Sequence, residues 1–246
     1  MAEHYRRLLA PNYTWMLGGD IESTAAAQRA LLDELLPLAD GTLRSNAVDL
    51  GCGSGAQSLA LADLGYACVL AVDTDRTLLD ELVFHAAGRS AIQVREADAV
   101  TAVSELASGS VDVAVCMGDT LPHLPSAMAV AELFVQLARV LRHGGSVILT
   151  YRDLTADLRG TDRFLPIRSD DDRIMMCFID FRDEQVAEVH DIIHNRTAGG
   201  WVTTVSSYPK LRLSPAWVRD TITEAGLRAV VHEQGPTSMW RTVARR

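Results

Sequence analysis

Basic residues are scarce in this sequence: 23 Lys and Arg stand against 32 Asp and Glu in 246 residues, a formal net charge of -9. Nucleic-acid backbones are bound by clustered Lys and Arg, so this balance argues against a general nucleic-acid-binding surface and leaves at most a local basic groove. Long apolar runs are missing too. None approaches the ~20 residues that span a bilayer, and Met1-Ala2-Glu3-His4-Tyr5-Arg6-Arg7 is not followed by the apolar core of a secretory leader, so no membrane association and a cytoplasmic location are expected. The sequence has 4 cysteines. Cys52, Cys68, Cys116 and Cys177 lie far apart among small or apolar neighbours, which fits reduced, buried thiols and neither a disulfide framework nor a zinc site. Internal repeats and low-complexity segments are absent. With 48% hydrophobic and 22% charged residues, the chain can bury a full core as one large domain, or as one domain with an elaboration. Aromatics make up only 6%, yet Tyr5, Tyr13 and Trp15 all fall before Leu17-Gly18-Gly19-Asp20. Residues 1–22 therefore read as a lid on a mobile connection.

What is present is a strict alternation. Ser23 is placed to cap a helix with Ala27, Leu31 and Leu35 on one face, ending at Pro37. Strands at 47–50, 67–72, 91–95, 111–116 and 146–151 alternate with helices at 56–64, 76–87, 99–107 and 126–141. The last of these carries Ala127, Val130, Ala131, Phe134, Leu137, Ala138 and Leu141 as its apolar face. Repeated βα steps predict a parallel sheet with helices on both sides. Segments 173–181, 185–195 and 201–207 then read as an antiparallel meander. A helix at 214–225 and strands at 227–234 and 238–244 follow. The expected organisation is an α/β core over 23–151 and 209–246 with an inserted antiparallel β cap over 152–208. Met175, Cys177, Ile179 and Phe181 form one face of the first meander strand and Ile174, Met176 and Phe178 the other, so a second face remains for substrate or a partner subunit, including a homodimer.

The most informative stretch is Val48-Asp49-Leu50-Gly51-Cys52-Gly53-Ser54-Gly55. Three alternate glycines directly after a buried strand permit positive φ and a close backbone approach to a ligand. Ligands of open parallel sheets bind at the carboxyl ends of the strands, so the other strand ends should supply further contacts. The second strand ends at Asp73, 20 positions beyond Gly53, where a carboxylate can accept both hydroxyl hydrogens of a ribose. The third leads to Glu96-Ala97-Asp98-Ala99, where Asp98 either accepts from an adenine amino group or caps the next helix. The fourth opens into Met117-Gly118-Asp119-Thr120-Leu121-Pro122-His123-Leu124, the candidate reaction loop. His123 is the best placed general base there.

Together these motifs resemble class I S-adenosylmethionine-dependent methyltransferases over roughly residues 30–151, and the 227–244 strand pair is similar to that family's terminal hairpin. The resemblance implies a Rossmann-like, doubly wound, mostly parallel seven-stranded sheet with the meander as a cap. It implies S-adenosylmethionine as cofactor, S-adenosylhomocysteine as product and a small-molecule N or O nucleophile as acceptor. It places Asp49, Gly51, Gly53 and Gly55 around the methionyl part, Asp73 with Thr74 at the ribose and Asp98 with Ala99 at the adenine. Met117 and Tyr13 complete the cofactor-binding set, and His123 and Asp119 are the catalytic candidates. Gly118-Asp119-Thr120-Leu121-Pro122-His123-Leu124 is similar to the GNSxxHL loop of glycine-type and related small-molecule N-methyltransferases, with Asp119 where those have Asn.

Other polar groups have alternative roles. His190 and His194 share one face of a cap strand and point either into the acceptor pocket or outward. Arg152, Arg173, Lys210 and Arg212 flank the insertion as possible partners of an acidic substrate or as surface residues. Asp170-Asp171-Asp172 has no His or Cys partner at ligand spacing, so no metal is expected. A nucleotide-dependent oxidoreductase is the main rival, because Gly51, Gly53, Ala56 and Asp73 also satisfy a dinucleotide fingerprint. A non-catalytic binding module is the other, although the intact glycine turn and Asp73 speak against it.

Overall fold

The computed structural model describes residues 4–36 and 44–246, with the Tyr5 and Arg6 side chains outside that description, so Pro37 and the Tyr5 ring expected in the lid lie outside the described residues. Five parallel strands form the centre of the main sheet: β1 (Asn46–Leu50), β2 (Cys68–Asp73), β3 (Ile92–Glu96), β4 (Val111–Cys116) and β5 (Leu141–Tyr151). Two later strands, β10 (Arg228–Gln234) and β11 (Trp240–Arg245), complete the order β10-β11-β5-β4-β1-β2-β3. β11 runs antiparallel to both its neighbours, as the expected terminal hairpin requires. The order reverses between β1 and β4, and the carboxyl ends of those strands open the crevice where such sheets bind ligands.

Helices cover both faces. On one side α2 (Ile21–Leu35) and α3 (Ala56–Asp63) bury Leu32, Leu35, Ala60 and Leu61 against Val69, Val115 and Ile148. On the other, α6 (Ala127–Val140) and α7 (Pro215–Glu224) pack on Leu50, Val72, Ala114 and Leu149. The buried stripe of α6 is Val130, Leu133, Phe134, Leu137 and Val140. It is rotated from the sequence expectation because the larger side chains win the core over Ala127 and Ala131. The remaining helices are α4 (Arg76–His85) and α5 (Ala99–Ser104), after a short α1 (Tyr13–Met16). The cap of α2 also differs: Asp20 accepts from the backbone N–H of Glu22 and Ser23, so Ser23 lies inside the helix.

The insertion is a four-stranded antiparallel sheet, β6-β7-β8-β9, made of Phe164–Ser169, Arg173–Phe181, Val186–Thr197 and Gly200–Leu211. Three strands were expected. Pro166 concealed the fourth, since proline donates no ladder hydrogen bond and suits an edge strand; the β6–β7 pairing shifts register between Pro166 and Arg168. Met175 and Ile179 are buried, so of the two faces of β7 the one carrying Met175, Cys177, Ile179 and Phe181 packs inward. Leu8, Leu9 and Trp15 form a separate cluster with Met175 and Ile193, which joins the amino-terminal segment to the cap. No helix among the described residues is long and apolar enough to cross a membrane.

Candidate active site

The glycine turn is held by the strand beside it. The N–H groups of Gly51 and Cys52 both donate to the Val72 carbonyl, at 2.8 and 3.0 Å. The Gly53 N–H donates to Asp73 Oδ2 and the Asp75 N–H to Asp73 Oδ1, each at 2.9 Å, so this carboxylate is fixed in place by backbone. Burial raises its pKa while those hydrogen bonds oppose the shift. Gly51 and Gly53 have φ of +71° and +53°, and a Cβ on Gly53 would lie 2.7 Å from the Tyr13 ring. One on Gly51 would meet the Thr120 side chain at 2.2 Å. Tyr13 and Thr120 therefore cover the turn at the distance that only glycine permits.

Between this turn and α6 lies a cavity of about 770 Å³, lined by Tyr13, Gly51, Asp73, Thr74, Asp98, Ala99, Gly118, Thr120, His123 and Glu132, among others. Seven of these ten come from the ends of β1 to β4 and the loops and turn that follow them, with Tyr13 on α1, Ala99 opening α5 and Glu132 on α6. The volume falls in the range of cofactor-sized sites. Asp98 has both of its expected positions: it borders the cavity and caps α5, accepting from the Thr101 N–H at 2.9 Å.

Five of the predicted site residues, Asp49, Gly53, Gly55, Met117 and Asp119, are not among those lining this cavity. Gly55 is a packing glycine: at φ +102° its Cβ would come within 2.1 Å of Leu82 Cδ1 on α4. Met117 is buried in the core with Leu32 and Ile148. Asp49 lies beneath the turn and accepts from Ser58 Oγ at 2.6 Å, and burial lifts its pKa to about 7, with nearby Asp73 adding to the rise. Asp119 accepts from Lys210 Nζ at 2.5 Å and from the Arg152 N–H at 2.8 Å, with the Arg152 guanidinium 3.5 Å away. Its φ of +74° follows Gly118 at +70°, a left-handed pair that a short polar side chain tolerates.

His123 ends the short turn Leu121–His123 at the cavity wall. Its ring stacks on Tyr208 of β9 at 5.1 Å and 18°, and Tyr208 in turn meets His4 at 4.6 Å. His4 Nε2 is 3.0 Å from Asp191 of β8, to which the Cys177 thiol also donates at 2.8 Å. Burial, the charge of Lys210 and His4 hold the His123 pKa well below the ordinary histidine value. His123 is therefore a neutral imidazole near pH 7, able to accept a hydrogen bond.

Neither His190 nor His194 borders this cavity; His194 Nδ1 is 2.8 Å from the Thr203 hydroxyl in an exposed position. Arg212 is spent on the Leu154 and Thr155 carbonyls and on Asp157, and Arg173 lies over the Trp15 ring. Asp170 closes the turn before β7 by accepting from the Asp172 and Arg173 N–H groups, and it also accepts from Trp15 Nε1. Sequence reasoning missed Glu132 and the His4–Asp191 and Lys210–Asp119 pairs, whose partners are 187 and 91 positions apart.

Residues 47–145 match the family model for a methyltransferase domain. No curated protein matches the sequence. Among solved structures, the CcbJ methyltransferase of Streptomyces caelestis is 20% identical with a TM-score of 0.73, over 99% of this chain and 95% of that one. CalS10 of Micromonospora echinaspora, an amino pentose methyltransferase solved with S-adenosylmethionine, is 15% identical with a TM-score of 0.73, over 93% and 92%. The sugar N-methyltransferase KedS8 of a Streptoalloteichus species is 15% identical with a TM-score of 0.72, over 97% and 92%. The domain match and the shared fold agree: residues 47–145 form a methyltransferase domain, seated on a fold like that of S-adenosylmethionine-dependent methyltransferases.

Proposed function

We propose that the protein methylates an amine nitrogen of a small molecule, with amino sugars as the first class to test. The observation that carries this reading is His123, an imidazole held neutral on the wall of the cavity that begins at the glycine turn. Support for the substrate class comes from the similar folds of CalS10 and KedS8, whose names give an amino pentose and a sugar nitrogen as their targets.

S-adenosylmethionine supplies an electrophilic methyl group. Asp73 is fixed where it can accept from ribose hydroxyls, Asp98 and Ala99 border the adenine end, and Gly51 and Gly53 let the backbone come close at the methionyl end. Asp49, Met117 and Gly55 support this cradle from behind. Tyr13 acts as the lid, and the amino-terminal segment moves with the cap because Leu8, Leu9 and Trp15 pack on Met175 and Ile193. Methyl transfer needs the attacking lone pair in line with the bond that breaks, so positioning and exclusion of water account for most of the catalysis. His123 accepts a hydrogen bond from the amine N–H, turns the lone pair toward the methyl group, and stabilises the nitrogen as it gains positive charge. A protonated histidine would instead repel that nitrogen.

The test is a competition. Methyl-labelled S-adenosylmethionine is offered with amino sugars and with the matching sugars that carry a hydroxyl in place of the amine. Label is expected on the amino sugars, at nitrogen by mass spectrometry; label confined to the hydroxyl compounds would replace this reading with O-methylation.

A further inference from the structure

We propose that Lys210 is a positioning residue for methyl transfer: its ion pair with Asp119 fastens cap strand β9 to the loop after β4 and sets a fixed positive charge behind His123. The inference rests on the assignment of His123 as the group that meets the acceptor.

Lys210 is the only lysine of the sequence, in a chain whose other basic residues are arginines. It is 7% exposed and pairs at 2.5 Å with a carboxylate that is likewise 7% exposed. An ammonium is a compact point charge that meets one carboxylate oxygen, whereas the planar fork of arginine has five donors to satisfy. The other Asp119 oxygen is already occupied by the Arg152 N–H. A buried pair of this kind contributes little net stability, because desolvation of both ions offsets their attraction. What it does determine is geometry. Asp119 lies four residues before His123, and Lys210 lies two residues after Tyr208, whose ring stacks on His123. The same ion pair thus fixes both sides of the stack.

The charges around His123 are Lys210 on β9, with Tyr208 beside it, and Asp119 in its own loop. His4 comes from the amino-terminal segment, backed by Asp191 of β8, and Asp73, Asp98 and Glu132 border the same cavity. Lys210 disfavours a second positive charge at His123, and Asp119 compensates Lys210 without removing that bias.

The experiment follows the His123 imidazole by NMR from pH 8 to pH 5 in wild type, Lys210→Met and Lys210→Arg, with His123→Asn to identify the signal. Affinity for S-adenosylmethionine and kcat on a methylated amine are measured in parallel. Lys210→Met is expected to titrate His123 at higher pH than wild type and to lower kcat at pH 6 by about tenfold or more, with cofactor affinity within about twofold. Lys210→Arg keeps the positive charge and should recover the His123 titration, with kcat between those of wild type and Lys210→Met because the larger fork fits the buried carboxylate less well. If Lys210→Met folds poorly, Lys210→Met combined with Asp119→Asn leaves no lone buried charge and should fold while keeping the shifted titration. An unmoved His123 titration, or an unchanged kcat in a folded variant, overturns the proposal. A titration that responds to Lys210 in a protein whose His123→Asn variant keeps full kcat would instead sink the assignment of His123.

Discussion

His123→Ala is expected to lower kcat by about a hundredfold or more while leaving affinity for S-adenosylmethionine nearly unchanged. The effect is large because a positioned acceptor acts only where charge develops, at the nitrogen that becomes cationic. Alanine leaves that nitrogen to water or to nothing. The proposed cofactor cradle consists instead of the glycine turn, Asp73 and the loop at Asp98, whose carboxylates are held by backbone N–H groups. A parallel loss of cofactor affinity, or full kcat in the variant, would show that His123 only packs against Tyr208.

The second large effect concerns stability. Gly55→Ala places a Cβ 2.1 Å from Leu82 Cδ1 at φ +102°, and Leu82 is fully buried, so little can give way. The left-handed backbone costs about 1–2 kcal/mol and the overpacking about 1–3 kcal/mol, or roughly 3 kcal/mol together. For a chain of this size that lowers the melting temperature by about 6–12 °C. Gly65→Ala is the control: its φ is +91°, but no atom lies within 4 Å of the added Cβ, so it bears the backbone part alone. Equal melting temperatures for the two variants would contradict the packing role of Gly55.

The position of the candidate site was legible because its signals are local. An apolar run, a glycine turn and an acid at the end of the next strand are read within 27 residues, from Ala47 to Asp73, and they fix where the crevice must open. The division of labour among the glycines was not legible. Gly51 and Gly53 face Thr120 and Tyr13, whereas Gly55 faces Leu82, and that difference depends on how α4 packs. Asp119 read as catalytic since it stands in the candidate reaction loop after β4; its partner Lys210 lies across the whole cap, and only the status of Lys210 as a lone lysine hinted at a special position. Ser23 and Asp20 are both competent caps, and the choice between them depends on where Gly18 and Gly19 turn the chain. The fourth cap strand was hidden by a proline that edge strands accept.

The central claim is that the cavity between the glycine turn and α6 holds S-adenosylmethionine through Asp73. It is tested most directly by calorimetric titration of the cofactor into wild type and Asp73→Ala. Wild type should show saturable one-to-one binding. The variant loses a charged acceptor for two hydroxyl groups, each hydrogen bond contributing about 1 kcal/mol or somewhat more, and should bind at least about tenfold more weakly. A folded wild type that releases no heat, or a folded Asp73→Ala protein that binds as tightly as wild type, would contradict the account.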